Sequence, residues 1–212
     1  MHSHETCDAI DMSWTLGYYL EILKEAKYAD MLEKIVFNAG MGSVANDFKS
    51  LQYYSSVNQF ICTGTSNHDK DNYCSTWMAY RPTHQTECCA GQIHRLMPNY
   101  AARMWLRSKD GVVAALYGPS KFKYDEDLTL VQETSYPYNE RVTIRVETKK
   151  AKKLALHLRI PTWCEGATLS VNGKSVEVKA NEGGFVTLNR KFADGDCIVL
   201  DLPMKSVRKT AH

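Results

Sequence analysis

The sequence predicts an α+β multidomain chain, with helices in the first half and an antiparallel β-sandwich in the second. Three observations predict it. Up to about residue 106 the apolar residues recur at steps of three and four, the period of a helix. After residue 110 they alternate at steps of two, the period of a strand. Between two alternating runs stands Asn172-Gly173, the pair best suited to a two-residue hairpin turn. The boundary therefore falls between residues 1–106 and 107–212.

In the first half, residues 9–24 carry Ile10, Trp14, Leu16, Tyr18, Leu20, Ile22 and Leu23. They are apolar nearly all round, as for a helix packed on more than one side. Residues 27–39 form one stripe, Tyr28, Met31, Leu32, Ile35 and Val36, with Asp30 and Glu33 opposite and "NAGMGS" as the stop. A third stripe follows in Ile93, Leu96, Met97, Tyr100, Ala101, Met104 and Trp105, and Pro98 predicts a kink or break in it. Trp14 and Trp105 read as core residues. The irregular stretch 43–87 holds at most a short strand near Gln52–Gln59, and loops of that length are functional or disordered. In the second half, "VTIRVET" at 142–148 and "LALHLRI" at 154–160 alternate cleanly, "LSVNGKSVEV" is the hairpin, and "GGFVTL" and "CIVLDL" are strands joined by "ADGD".

Composition narrows the function classes. The net charge of +2 is spread thinly, and its one basic run, "KKAKK" at 149–153, reads as a solvated face. No nucleic-acid partner is expected. No apolar stretch approaches the ~20 residues of a membrane span, so no membrane partner is expected either. The opening "MHSHETCDAI" lacks the basic and apolar regions of a signal peptide, and the compartment stays open.

Seven cysteines stand at irregular spacing: Cys7, Cys62, Cys74, Cys88, Cys89, Cys164 and Cys197. An odd count turns attention from a disulfide framework to metal binding or thiol chemistry. Glu5 and Cys7 are two apart, so an extended segment points both to one face. Cys88 and Cys89 open a helix, where backbone N–H groups and the helix dipole favour a thiolate. Three thiolates and a carboxylate make a donor set suited to Zn²⁺. From the residues alone, free cysteines buried in a helical core are the plainer account.

The segments "ETCDAIDMSW", "AKYADMLEKIVFNAGMGS" and "ECCAGQIHRLMPNY", in that order, resemble the glycoside hydrolase family of β-L-arabinofuranosidases. The stretches "LHLRIPTWCEGATLSVNGK" and "GFVTLNRKFADGDCIVLDLPM" resemble that family's β-domains. The resemblance implies that Glu5, Cys7, Cys88 and Cys89 hold zinc. It implies that Cys88 is the nucleophile, attacking the anomeric carbon to form a thioglycosyl intermediate that water resolves with retention. It places Tyr53 near the sugar, with packing beneath the irregular region as an equal account. It implies an arabinose-containing glycan as substrate. Arg95 follows the cysteine pair as in the family, where a salt bridge or helix cap suits it better than substrate contact.

The resemblance also sets expectations of departure. The family's general acid is a glutamate upstream of "ETC", where this sequence has only "MHSH". Residues 1–105 accordingly read as the last part of an α/α toroid, and the 212-residue chain is expected to be a C-terminal fragment of low activity. Glu87 is the one nearby substitute for the acid, though a polar residue before a helix is its ordinary role. Gln92 and Ala90 stand where asparagine and proline are usual. Helix faces left uncovered predict self-association. His68, His84 and His94 read as surface or core residues, and His2 and His4 as terminal residues close enough to Glu5 to interfere with a metal. Two other accounts are a non-catalytic, zinc-stabilised scaffold or carbohydrate-contacting module, and a redox-active dithiol.

Overall fold

The computed structural model describes residues 3–56, 59, 62, 78–82 and 87–206. The chain is α+β, in two compact units. One comprises Met1–Leu23 and Tyr28–Ala102, the other Lys24–Lys27 and Arg103–His212.

In the first unit, strand β1 (Ser3–Glu5) pairs antiparallel with β2 (Tyr54–Ser56), setting His4 opposite Ser55 and Glu5 opposite Tyr54. The chain runs from β1 straight into helix α1 (Thr6–Leu23). Thr6 ties the junction to the second strand: its N–H donates to Tyr53 O at 2.9 Å and its hydroxyl to Gln52 O at 2.8 Å. Helix α1 buries Ile10, Leu16 and Leu20. Helix α2 (Ala26–Lys34) continues into a wider π-helical turn at Ile35–Gly40. Gly40 is required there, because a Cβ would lie 2.7 Å from Leu96 Cδ2.

After the cysteine pair come α3 (Cys88–Gln92), a 3₁₀ turn (Ile93–Arg95) and α4 (Leu96–Ala102). The third stripe is therefore broken ahead of Pro98. Pro98 itself sits in the first turn of α4, where the missing N–H leaves no helical bond unmade. Trp105, expected on that stripe, lies in a strand instead. It is buried, in line with a core role, whereas Trp14 is only half-buried. Glu33, expected on a polar face, is also buried, where the Tyr100 hydroxyl donates to its carboxylate at 3.3 Å.

The described residues of the second unit form ten strands: β3 (Trp105–Arg107), β4 (Gly111–Ala114), β5 (Ser120–Lys123), β6 (Leu128–Thr134), β7 (Arg141–Thr148), β8 (Lys152–Arg159), β9 (Thr168–Val171), β10 (Lys174–Val176), β11 (Phe185–Phe192) and β12 (Cys197–Asp201). They form a six-stranded sheet, β10-β9-β12-β7-β6-β5, and a four-stranded sheet, β11-β8-β4-β3. Asn172 and Gly173 both take positive φ (51° and 76°) in the β9–β10 turn, as a type I′ hairpin needs. The expectation of a wholly antiparallel half is corrected at one pair: β4 and β8 run parallel. Parallel strands need a long crossover, and the chain supplies it by building β5, β6 and β7 of the other sheet in between.

Alternating positions are buried along β6, β7 and β12. Arg159 at the end of β8 is fully buried, with its Nε donating to Ala115 O at 2.6 Å and its guanidinium 5.3 Å from the Tyr117 ring centre. Among the described residues, no helix is long and apolar enough to cross a membrane.

Gly111 opens β4 where a Cβ would fall 1.9 Å from Ala155 O of β8. Gly111→Ala is therefore expected to destabilise the sheet by about 2–3 kcal/mol, read as a fall of roughly 10 °C in Tm. Gly42→Ala, with nothing within 4 Å of its Cβ, is the control expected to melt unchanged.

Candidate metal centre

Four chain segments meet at the edge of the two-stranded ladder. Glu5 ends β1, Cys7 lies in the first turn of α1, Tyr53 immediately precedes β2, and Cys88 and Cys89 open α3. The ladder sets Glu5 against Tyr54, and the Thr6–Tyr53 bond holds the next residue in place. A helix beginning at Thr6 then turns the Cys7 side chain toward α3.

One ligating atom from each of Glu5, Cys7, Cys88 and Cys89 lies within 4.8 Å of the others. The Cys88 thiol is 3.1 Å and the Cys89 thiol 3.7 Å from Glu5 Oε1, and the Cys7 and Cys89 sulfurs are 3.3 Å apart. Cys89 is buried while Cys88 is exposed. The hydroxyl of Tyr53 lies 2.8 Å from Cys88 Sγ. Three sulfurs and one carboxylate in contact form a donor set that could hold a metal cation. The two sequence pairs, Glu5/Cys7 and Cys88/Cys89, are thus brought together.

Two of the thiols, Cys7 and Cys89, resist ionisation. Burial pushes the Cys7 thiol well above the usual thiol range, helped by its contacts with Cys89 and Cys88. Burial likewise pushes Cys89 up to about 12, with the charges of Cys88 and Glu5 adding to it and hydrogen bonds from Cys7 opposing. The Tyr53 hydroxyl is raised by its bond to Cys88, then by burial and the nearby Glu5 charge. Crowding of groups that become anions is the common cause.

The other sequence candidates fall elsewhere. Glu87 caps the start of α3, but its carboxylate pairs with Arg81. Arg95 bonds to Gln92, lies 3.6 Å from Asp11 and stacks 4.9 Å from the Trp14 ring centre, a structural role. His4 meets Ser55 Oγ at 2.7 Å across the ladder, away from interference with the ligands. His94 is exposed. His2, His68, His84 and Cys74 lie outside the described residues. Cys62 is apart from the cluster, its thiol donating to Met78 O. Sequence reasoning passed over Arg81, which anchors the residue before the cysteine pair, and Asp8, whose carboxylate accepts the Glu5 N–H at 3.3 Å. An acid three residues after Glu5 at a helix start was the available signal.

A family model described as "Beta-L-arabinofuranosidase, GH127 catalytic domain" matches residues 1–102, and another described as "Beta-L-arabinofuranosidase, GH127 middle domain" matches residues 111–204. A curated relative, the non-reducing end β-L-arabinofuranosidase of Bifidobacterium longum, is 28% identical over 209 residues, covering 94% of this chain and 30% of its own. The crystal structure of a GH127 β-L-arabinofuranosidase from Geobacillus stearothermophilus T6 superposes with a TM-score of 0.81 at 26% identity, over 98% of this chain and 33% of that one. Another GH127 β-arabinofuranosidase superposes at 0.76 with 25% identity, over 95% of this chain and 32% of that one. The chain spans about a third of the length of these relatives.

The geometry predicts an order of thiol reactivity. With chelator present at pH 8, burial keeps the Cys89 thiol largely protonated, and the thiolate is the reacting form. Iodoacetamide is expected to modify exposed Cys88 at least about a hundredfold faster than Cys89, as read by peptide mass mapping. Equal rates at the two positions would contradict the burial described.

Proposed function

Because the chain belongs to the GH127 β-L-arabinofuranosidase family of glycoside hydrolases, we propose that it carries the nucleophile and metal site of a retaining arabinofuranosidase. The observation behind this is the meeting of Glu5, Cys7, Cys88 and Cys89 with only one cysteine of the adjacent pair exposed. Zinc is the proposed metal. A tetrahedral zinc with sulfur at about 2.3 Å and oxygen at about 2.0 Å keeps its ligand atoms about 3.5–3.8 Å apart. Three of the separations here are 3.1 to 3.7 Å, and all four ligating atoms lie within 4.8 Å of one another, so a metal would draw the wider pairs inward. Bound there, zinc would supply the positive charge that keeps a thiol ionised near neutral pH.

The chain's own residues then divide the work. Cys88 Sγ is the accessible sulfur and attacks the anomeric carbon: the S–C bond forms as the C–O bond to the leaving group breaks. Tyr53, 2.8 Å from that sulfur, orients it and borders the sugar. Cys89 and Cys7, shielded from solvent to a greater degree, act as ligands. In the second step water attacks the same carbon as the S–C bond breaks, the Cys88 thiolate leaves and the water's proton passes to solvent, and two inversions give retention. The leaving oxygen needs a proton, and Glu87 is ill placed to give it, being engaged with Arg81. The substrate class is an arabinose-containing glycan, and the helical unit is part of an α/α toroid.

Two measurements test this reading. The purified chain is expected to hold one zinc ion, lost in Cys7→Ser and Cys89→Ser, by elemental analysis. Incubation with a nitrophenyl β-L-arabinofuranoside, whose leaving group needs little protonation, is expected to add one pentosyl unit to Cys88 by intact mass and peptide mapping. Cys88→Ser should show none. A metal-free native chain, or pentosyl addition elsewhere, would sink the assignment.

Membership of a toroid has a consequence for assembly. Met12, Tyr18, Tyr19, Ile22 and Leu23 of α1 are exposed, together with Met31 of α2. Apolar residues at that density on one helix mark a packing surface. The chain is expected to self-associate, with a sedimentation coefficient rising with concentration, and Ile22→Glu with Leu23→Glu should return it to a monomer. A concentration-independent monomer of the unmutated chain would contradict this.

A further inference from the structure

A second concavity lies in the helical unit, distinct from the thiol cluster. It is a cavity of ≈390 Å³, within the range of small-molecule sites. Its floor is apolar, built by Leu51, Ile93, Leu96 and Met97. Its polar contributors besides Ser50 are all basic or imidazole side chains: Lys49, Arg81 and His94. Among the described residues, no carboxylate lines it. The nearest acids are occupied: Asp47 accepts the Lys49 N–H at 3.0 Å, and Glu87 pairs with Arg81. Lys49 makes no ion pair among the described residues.

The wall bears a second mark. Phe48 lines the cavity, is 69% exposed and has a φ of 57°. An aromatic residue in the left-handed region is strained, and strain of this kind gathers at ligand sites. The tight loop enforces it: Phe48 N–H donates to Ala45 O at 2.8 Å, and Ala45 N–H to Ser50 O at 3.0 Å. The Val44–Leu51 bridge closes the loop. The result holds an aromatic ring in solvent at the rim of an apolar pocket, beside a lysine.

We propose that this cavity binds an aromatic carboxylate. An apolar body of roughly a dozen heavy atoms fits a site of this size. Its face would lie against Phe48 and its carboxylate toward Lys49 and His94. The inference needs neither the metal nor turnover, so it stands or falls apart from the reading above.

The probe is 2-naphthoate, tested by calorimetry on the full chain beside its methyl ester and decanoate. The expected Kd for 2-naphthoate is on the order of 100 µM, with the ester about tenfold weaker. Lys49→Ala should abolish the difference between acid and ester, and Phe48→Ala should weaken both about tenfold. Both side chains are exposed, so unchanged circular dichroism should accompany these losses. Three outcomes would overturn the proposal: no saturable binding up to about 1 mM, equal affinity for acid and ester, or binding of decanoate in preference to 2-naphthoate.

Discussion

Everything at the thiol cluster depends on a three-residue antiparallel ladder. Ser3–Glu5 and Tyr54–Ser56 are some fifty residues apart in the chain, yet their pairing fixes Glu5 and, through Thr6, the first turn of α1. A strand alternates its side chains and a helix rotates them by 100° per residue. Placing the change from one to the other at Thr6 sends Glu5 and Cys7 to the same point. Without the ladder, the Glu-x-Cys segment would lose the strand that fixes its position, and an unfixed side chain adds the entropy of its own ordering to every binding event.

The arrangement is strained in a particular sense. Three thiols and a carboxylate within 4.8 Å are poor neighbours as anions, and burial holds Cys7 and Cys89 protonated. The crowding favours a cation at this point, and the hydrogen bonds seen among the described cluster residues are to sulfur, carboxylate, hydroxyl and backbone oxygen. Arg81 is turned aside to Glu87 and Arg95 to Gln92 and Trp14. A side-chain cation inside the cluster would compete with a metal, and the fold keeps both nearby arginines otherwise engaged.

Much of this was legible in the residues. The helical periods of α1 and α2, the strands β7, β8 and β12, and the Asn172-Gly173 turn all follow from spacing alone. The strands β3 to β5 did not stand out. "GVVAALYG" is a continuous apolar run with no alternation, as befits β4 between two neighbours, and "SKFK" is a short, mostly polar edge strand. Glu33 misled because burial of a carboxylate depends on a distant partner, Tyr100, that no local pattern reports. The four candidate ligand residues were legible as types and spacings, and the resemblance grouped them. Their approach in space belongs to the ladder, which three polar residues facing "YSS" could not announce.

Arg159 has a consequence of its own. A guanidinium with no exposure, bonded to the carbonyl of Ala115 just past β4, acts as a proof-reading mark for the parallel joint. Should β8 slide by one residue, the side chains would exchange faces, and the cation would lose its carbonyl while Leu158 or Ile160 took its berth. Few errors in a sheet are so expensive, since a misplaced buried charge costs far more than a misplaced methyl group. The parallel joint of the second unit thus carries its own check on alignment, paid for by enclosing a cation.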